Sequence, residues 1–353
     1  MSYSKEQILS ALSHVDDPDL KKDLVTLNMI QNIEIEGNTI KFDVVLTTPA
    51  CPLKDMIKNA CINAVKHFVS KELEVIPNMT SKVTTAREAK EVLPQVKNII
   101  AIASGKGGVG KSTVAANLAY SLAESGAKVG VLDADIYGPS MPTMFGLKNQ
   151  HPKQVDGKME PLLSQGVKVI SIGFLVPEEQ AIVWRGPMAS SAIRQFTTDV
   201  NWGELDYLIL DLPPGTGDIH LTVTQQIPVD GVVIVTTPQD VALADCKKAI
   251  GMFKNPNLKL PIFGIIENMS WFSPPELPEK KYYLFGKEGG KKLSEQFDLQ
   301  LLGEIPLVEA VRLAADEGTA ISRQESVKQA YANIAGELAR LVAVKNSFKQ
   351  TNS

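Results

Sequence analysis

The chain has 353 residues, of which 44% are hydrophobic and 22% charged, a balance typical of globular proteins. Its formal net charge of −4 at pH 7 offers no broad basic field, which argues against nucleic acid as a partner. No stretch approaches the roughly 18 apolar residues of a membrane-spanning helix, and the first residues lack the apolar core of a signal peptide. We therefore expect no membrane partner. Three cysteines are too few for a disulfide framework, which fits a reducing compartment, so we expect a cytoplasmic protein.

The first elements along the chain predict a small α+β fold. Ser4 is a candidate N-cap for a helix over residues 4–14, in which apolar side chains recur at helical spacing. Residues 33–46 alternate apolar and polar side chains on both sides of Gly37 and Asn38, which is typical of a β-hairpin. A short helix followed by a hairpin is the beginning of a domain that mixes helix and sheet.

Cys51 lies where a second helix is expected to begin. Pro52 suits the first helical position, which predicts a helix over residues 52–69. Cys51 then falls at or beside the N-cap, where the helix dipole lowers the pKa of a thiol and favours metal binding. The alternative is a small buried apolar side chain, which is common for a free cysteine. Cys61 lies later in the same helix between apolar residues and is expected to belong to the core.

We expect two domains in a chain of this length. The small α+β domain is placed at residues 1–80, and a linker with prolines and mixed charges follows at 81–95. The larger domain is expected at 96–345 and closes with a helix over 326–344, leaving a tail at 346–353.

A glycine-rich loop lies between a predicted strand and a predicted helix. The apolar run 99–103 indicates a buried strand, and the alanine-rich segment after Ser112 indicates a helix. The intervening sequence satisfies the P-loop pattern, in which glycines let backbone N–H groups surround phosphate oxygens. Lys111 is expected to reach the β- and γ-phosphates, and the Ser112 hydroxyl to ligate Mg²⁺. The alternative is an ordinary glycine turn. The predicted nucleotide-binding residues are Gly105, Lys106, Gly107, Gly108, Val109, Gly110, Lys111, Ser112 and Thr113.

Short apolar runs without alternation follow the loop and are separated mostly by helical segments. Such runs are typical of strands that are buried on both faces. We therefore predict an α/β fold with a doubly wound, mostly parallel sheet, whose ligand lies at the carboxyl ends of the strands. The predicted strands cover 99–103, 127–135, 167–174, 206–211, 231–237 and 262–268.

Aspartates end two of these strands. Asp211 follows an apolar strand at the Walker B position, where a carboxylate holds Mg²⁺ directly or through water. The glycine- and proline-rich segment 213–217 after it is typical of a switch that senses the γ-phosphate. Asp133 and Asp135 end the neighbouring strand, and from position alone either is also a candidate helix cap. Asn268, at the end of the last predicted strand, carries an amide suited to a bidentate pair with adenine.

The P-loop sequence, Gly-Lys-Gly-Gly-Val-Gly-Lys-Ser, resembles the "deviant" Walker A motif of the MinD and nitrogenase-iron-protein ATPases. In that group the extra lysine contacts nucleotide across a dimer interface, which here implies a homodimer with Lys106 acting in trans. The alternative is a solvated loop lysine. The resemblance also implies that Asp135 orients the attacking water, that Asp133 contacts Mg²⁺ from its second shell, and that Asn268 reads adenine.

Longer motifs extend the resemblance over nearly the whole chain. The segments 133–142, 184–188, 211–222 and 236–245 are similar to those of the Mrp family of ATPases. The segments 17–20, 23–30 and 48–52 resemble the iron–sulfur assembly domain often fused in front of these ATPases. In that domain the cysteine corresponding to Cys51 is linked to cluster handling. The resemblance implies a dimeric ATPase that holds an iron–sulfur cluster and passes it to apo-proteins.

The chain departs from the Mrp pattern at one place. Mrp proteins usually carry Cys-x-x-Cys shortly after the Glu-Asn-Met-Ser segment, and these thiolates bridge a [4Fe–4S] cluster between two subunits. Residues 271–286 follow that segment here and contain no cysteine. Glu276 and Glu279 are poor replacements because a cluster needs soft ligands, and Cys246 is expected to be structural. A cluster ligand from this chain would therefore come mainly from Cys51.

Two functional hypotheses follow from this departure. The first is an ATP-hydrolysing iron–sulfur cluster carrier, with ATP and Mg²⁺ as cofactors and a [4Fe–4S] cluster as cargo. Its expected partners are a second copy of the chain, a cluster-assembly scaffold and apo-proteins that receive the cluster. The alternative is an ATPase switch or scaffold without a cluster, closer to MinD in its logic.

Overall fold

The computed structural model describes residues 3–86, 92–175, 186–256, 258–274, 276–321 and 324–351. Contacts divide the chain into two compact units, Met1–Ala86 with Ala339–Ser353, and Arg87–Leu338. The change of unit lies inside the predicted linker 81–95, part of which is outside the described residues.

The first unit combines helices with a three-stranded sheet in the order β1, β2, β3. The predicted hairpin is confirmed, because β1 and β2 pair antiparallel around Gly37, whose φ of +61° suits the turn. Ser4 caps the first helix and exchanges hydrogen bonds with Gln7 in a capping box. The elements are α1 (Lys5–Leu12), β1 (Ile30–Glu36), β2 (Thr39–Leu46), α2 (Lys54–Phe68) and β3 (Glu74–Ser81), with a short ladder between Asp16–Asp17 and Lys22–Asp23.

The apolar faces of these elements form one buried core in the first unit. Along β2, alternate residues are buried, so that Phe42 and its neighbours two positions away face the helices. Cys61 is fully buried in this core, as predicted. The second helix begins at Lys54 instead of the expected Pro52, with Leu53 as its N-cap.

The second unit contains an eight-stranded sheet in the order β6, β7, β5, β8, β4, β9, β10, β11. Its strands are β4 (Val96–Ser104), β5 (Val129–Asp133), β6 (Leu162–Ser164), β7 (Val167–Ser171), β8 (Leu205–Asp211), β9 (Gly231–Thr236), β10 (Ile262–Glu267) and β11 (Leu301–Glu304). Only the pair β6–β7 is antiparallel among these strands, so the predicted mostly parallel sheet is confirmed. The edge strands β6 and β11 were not predicted, because each is short and partly exposed and lacks a full apolar run.

Helices of the second unit alternate with these strands. They are α3 (Lys111–Glu124), α4 (Met141–Met144), α5 (Gly186–Thr198), α6 (Asp218–Gln226), α7 (Asp240–Lys254), α8 (Gly289–Phe297), α9 (Glu309–Glu317) and α10 (Glu325–Thr351). A separate two-stranded ladder joins Gln154–Val155 to Lys158–Met159. Across the described ranges, no helix is both long and apolar enough to span a bilayer.

The end of the chain differs from the prediction of a tail over 346–353. Helix α10 continues through Thr351, and its part from Ala339 onward groups with the first unit. Asn346, where the tail was expected to begin, is buried and its side-chain amide donates to the Thr84 carbonyl at 3.0 Å. Such a buried polar contact is not visible in the apolar periodicity from which the helix end was predicted.

Strand order brings the predicted site residues to one edge of the sheet. The neighbours β5 and β8 are in register so that Asp133 and Asp211 are paired at their carboxyl ends. Strand β4, which leads into the glycine-rich loop, lies on the other side of β8. Parallel strands present their carboxyl ends together, so the loop and both strand-end aspartates meet there.

Candidate nucleotide-binding site

The glycines of the loop after β4 are required by backbone conformation and by close packing. Gly108 and Gly110 both have φ of +81°, which other residues rarely adopt. Gly110 is also the N-cap of α3, and a Cβ there would lie 2.2 Å from the Asn268 amide nitrogen. A Cβ on Gly105 would lie 2.3 Å from the carbonyl carbon of Asp245. The loop therefore keeps its shape only with glycine at these positions.

Lys111, the first residue of α3, lies among the predicted catalytic side chains. Its side chain is buried, and its Nζ donates to Asp211 Oδ1 at 2.6 Å. Ser112 Oγ lies 3.1 Å from the same nitrogen, and Asp135 Oδ2 lies 3.6 Å from it. The fold thus brings Lys111 and the adjacent Ser112 hydroxyl close to two carboxylates, Asp135 and Asp211, that are distant from them in sequence. In this structure the ammonium is therefore held on a carboxylate.

Two carboxylate oxygens near Lys111 are suited to bind a cation. Asp211 Oδ2 and Asp135 Oδ1 are buried and have no hydrogen-bond partner within the part of the chain that the structure describes. Burial raises the pKa of Asp211 and of Asp135, and the nearby Lys111 ammonium lowers both. Hard carboxylate and hydroxyl oxygens are the ligands that Mg²⁺ prefers. With the Ser112 hydroxyl close by, the residues fit a divalent cation.

Asp133 is engaged differently from the other two aspartates. It is fully buried, and its oxygens accept from the backbone N–H groups of Asp135 and Met141 at 3.2 Å and from Ser171 Oγ at 2.9 Å. Burial first, and then the Asp211 charge, raise its pKa to about 7. This geometry holds the start of the loop that carries Asp135. The predicted second-shell contact of Asp133 with Mg²⁺ stays a prediction.

Lys106 lies directly after Gly105, near the start of the glycine-rich loop, and is partly exposed. Its backbone carbonyl accepts from Ser104 Oγ at 2.9 Å, which fixes the loop backbone beneath it. Among residues with described placement, no acidic group lies within ion-pair distance of its ammonium. The predicted action of Lys106 in trans stays a prediction.

Asn268 contacts the glycine-rich loop directly. It is buried, its backbone N–H donates to the Thr236 carbonyl at 2.8 Å, and its side-chain Nδ2 donates to the Val109 carbonyl at 2.8 Å. One of the two N–H donors of this amide is thus already in use. Adenine recognition by Asn268 stays a prediction.

Sequence reasoning missed two polar residues of this region. Ser171 ends β7 and bonds Asp133, and His220 lies in the first turn of α6 and contacts the loop after Asp211. In the sequence Ser171 is only a polar residue in a predicted strand. Its contact with Asp133 could not be predicted, because it depends on β7 lying beside β5 in the sheet. His220 was detectable as a titratable residue just beyond the predicted switch segment.

The predicted low pKa of Cys51 is wrong. Burial raises the pKa of its thiol and outweighs a backbone hydrogen bond at Leu53 that lowers it; the charges of Asp17 and Asp19 raise the pKa further, and the Arg340 charge lowers it. Cys51 lies two residues before the N-cap Leu53, outside the first turn where the dipole acts. A small pocket encloses the half-buried cysteine, and Arg340 of α10 forms an ion pair with Asp19 in its wall.

We expect Asp19→Asn to accelerate reaction of Cys51 with a thiol reagent several-fold at pH 8. The change removes a charge that raises the thiol pKa and releases Arg340 from its ion pair, and reaction rate follows the thiolate fraction. The measurement is the labelling rate of Cys51, assigned with Cys51→Ser. Cys61 and Cys246 are internal controls, because burial raises the pKa of each to about 12. An unchanged Cys51 rate would show that Asp19 does not limit its access.

The segment 271–286, which stands where the usual cysteine pair is expected, is rich in aromatic residues. Phe272 and Tyr282 exchange backbone hydrogen bonds at 2.9 and 2.8 Å. The Lys281 ammonium lies 3.6 Å from the ring centroid of Trp271. Where the structure describes the chain, no group of three or more His, Cys, Asp or Glu is arranged to hold a metal ion.

A glycine-rich loop between a buried strand and a helix, with its lysine against two strand-end carboxylates, defines the class of P-loop NTPases. This chain belongs to the ParA family, because the family described as NUBPL iron-transfer P-loop NTPase matches residues 95–339. The family described as iron-sulfur cluster assembly protein matches residues 5–75. These matches confirm the resemblance inferred from the motifs. One of those motifs, residues 184–188, lies partly outside the described residues.

Relatives of this chain match it over nearly its full length. A Synechocystis protein named iron-sulfur cluster carrier protein is 48% identical over 352 residues, covering 96% of this chain and 98% of that protein. An Escherichia coli K12 protein of the same name is 43% identical over 327 residues, covering 91% of this chain and 88% of that protein.

Solved structures share the fold of the second unit. A nucleotide-binding protein from Archaeoglobus fulgidus in complex with ADP is 42% identical, with a TM-score of 0.59, covering 68% of this chain and 94% of that one. MinD from Pyrococcus horikoshii complexed with Mg-ADP is 21% identical, with a TM-score of 0.50, covering 67% of this chain and 94% of that one. The predicted P-loop NTPase fold is thereby confirmed.

Proposed function

We propose that this chain is an ATP-hydrolysing iron–sulfur cluster carrier that delivers clusters to apo-proteins. The observation that carries the proposal is the buried Lys111, held by Asp211 and close to Asp135 at the edge of the glycine-rich loop. This machinery can bind and hydrolyse a nucleoside triphosphate. The iron–sulfur carrier name of relatives at 43% and 48% identity supports the choice of cargo.

The site residues have distinct roles in this proposal. The loop N–H groups and Lys111 bind the phosphates, and the Ser112 hydroxyl with Asp211 holds Mg²⁺. The ion, when bound, neutralises charge that develops on the phosphate oxygens. Asp135 orients the attacking water, because one of its oxygens is buried without a partner among the described residues. Lys111 leaves Asp211 as nucleotide enters, so that Asp211 becomes free for the ion.

Lys106 is proposed to act from one subunit on nucleotide held by the other. Its ammonium has no acidic partner within the described residues, and a cation supplied in trans stabilises transferred phosphoryl charge as an arginine finger does. The active form would then be a homodimer. Hydrolysis would change the subunit contact and so control when the cargo is released.

Cys51 is the proposed cluster ligand of the first unit. One thiolate per chain cannot complete a four-thiolate cluster site. The cargo is therefore shared with a second subunit, an assembly scaffold or the receiving protein, and it is labile. Because Cys51 lies in a narrow pocket and burial raises the pKa of its thiol, the proposal includes an opening of this pocket before the thiolate binds iron.

The alternative function is an ATPase switch without a cluster. It is supported by the lack of the usual cysteine pair in residues 271–286. The names of the full-length relatives and the match of residues 5–75 to an iron–sulfur assembly family favour the carrier.

Anaerobic reconstitution tests the carrier proposal. We expect the purified protein, given iron and sulfide with or without Mg·ATP, to bind iron and sulfide and to show visible absorption. Cys51→Ser should lose this absorption, whereas Cys61→Ala, a change in a core cysteine, should keep it if folding is preserved. Transfer to an apo-ferredoxin measures delivery. Lack of bound iron in every nucleotide state would favour the cluster-free switch.

A further inference from the structure

The loop between β8 and α6, residues 212–217, lies against the glycine-rich loop, and we call it the switch loop. The Gly215 backbone N–H donates to the Ser104 carbonyl at the end of β4, at 2.9 Å. Pro214 lies beside Gly107, where an added Cβ would come within 3.9 Å of it. Gly215 has φ of +93°, a conformation that favours glycine and suits a hinge.

His220 contacts both ends of this loop from the first turn of α6. Its ring is 1% exposed, and Nε2 lies 2.8 Å from the Pro213 carbonyl oxygen. Nδ1 lies 3.3 Å from the Gly217 carbonyl oxygen. The ring packs edge-on to Phe253 of α7, with centroids 6.4 Å apart. The imidazole thus fills a buried position whose polar neighbours are two switch-loop carbonyls.

The protonation state of His220 selects one of these contacts. Burial lowers the pKa of its imidazole, the two carbonyls raise it, and the Lys111 charge lowers it further. A neutral imidazole has one N–H donor. The shorter and more buried contact is the one at Nε2, so the Nε2–H tautomer donates to Pro213. The contact at Nδ1 then contributes little.

We propose that His220 is a positioning residue for hydrolysis, which holds the Pro213 carbonyl and thereby sets the switch loop relative to Asp211. Pro213 is two residues after Asp211, so a fixed carbonyl there limits movement of the Walker B backbone. Movement is left to the Gly215 hinge, which can exchange its Ser104 partner for a phosphate oxygen. This inference rests on the proposed ATP hydrolysis.

The contact predicts a kinetic signature. Nucleotide binding depends on the glycine-rich loop and Lys111, which His220 does not contact through any hydrogen bond that the structure describes. Loss of the Pro213 contact should therefore lower kcat and leave KM nearly unchanged. An interaction that matters mainly in the transition state produces this pattern.

Two amide substitutions separate the contact from mere packing. In His220→Gln the side-chain amide nitrogen can take the place of Nε2, whereas in His220→Asn it can reach only the position of Nδ1. We expect Gln to retain kcat within about twofold and Asn to lose about tenfold, a change worth about 1.4 kcal/mol, with KM unchanged in both. Equal losses in the two variants, or no loss in either, would overturn the proposal.

Hydrogen exchange gives a second readout that does not depend on hydrolysis. Pro213 and Pro214 have no N–H group, so Gly215 is the informative amide near the hinge. In nucleotide-free protein we expect its exchange to be faster in His220→Asn than in wild type, and unchanged in His220→Gln. Wild-type exchange in both variants would contradict a positioning role. Absence of ATP hydrolysis in the wild-type protein would instead contradict the proposed function.

Discussion

Lys111→Ala is expected to abolish ATP binding, with a loss of roughly a hundredfold or more in affinity, because a charged hydrogen-bond donor to phosphate is removed. The substitution also leaves Asp211 buried without its cation, which should lower the free energy of unfolding by about 3–5 kcal/mol. Calorimetric titration with Mg·ATP and thermal denaturation measure the two effects. Asp211→Asn in the same chain should partly restore stability without restoring ATP binding.

Lys106→Ala provides the matched comparison. Lys106 is partly exposed and has no acidic partner among the described residues, so its loss should spare folding and much of the binding. If it acts across a dimer, turnover should fall by a factor of roughly 10³ or more, as for an arginine finger. Mixing Lys106→Ala with Lys111→Ala protein should then recover part of the activity, because one subunit supplies the lysine and the other binds ATP. Equal loss of ATP affinity in both single variants would contradict action in trans.

Asp135→Asn is expected to keep Mg·ATP bound and to slow hydrolysis by roughly 10²-fold, the scale of an oriented proton acceptor. Its Oδ1 has no partner among the described residues, and its Oδ2 lies 3.6 Å from the Lys111 ammonium. The amide preserves the shape of the carboxylate and removes its charge. The effect should therefore fall on kcat and leave KM nearly unchanged.

Asp316→Asn is a matched control for this experiment. Asp316 lies on the exposed surface of α9 and pairs with Arg312, so the same chemical change there should leave hydrolysis unaltered. Wild-type turnover in Asp135→Asn would remove Asp135 from the mechanism. Loss of ATP binding in that variant would instead indicate that Asp135 holds the phosphates or the ion.

The sequence by itself was sufficient for the P-loop and for most of the sheet. The spacing of Gly105, Gly110, Lys111 and Ser112 is a local pattern that can be recognised in the sequence without knowledge of the fold. Continuous apolar runs identified six strands of the large sheet because burial on both faces removes polar alternation. The short edge strands β6 and β11 lacked such runs and were missed.

Tertiary structure alone decided which polar groups meet. Lys111 and Asp211 are 100 residues apart, and their hydrogen bond depends on β4 and β8 being neighbours, which no local pattern specifies. The same reason applies to Ser171 with Asp133 and to His220 with Pro213. For Cys51 a local pattern gave a wrong prediction: its position near a helix N-terminus predicted a lowered thiol pKa. Desolvation by surrounding residues, including those of the distant helix α10, raises it instead.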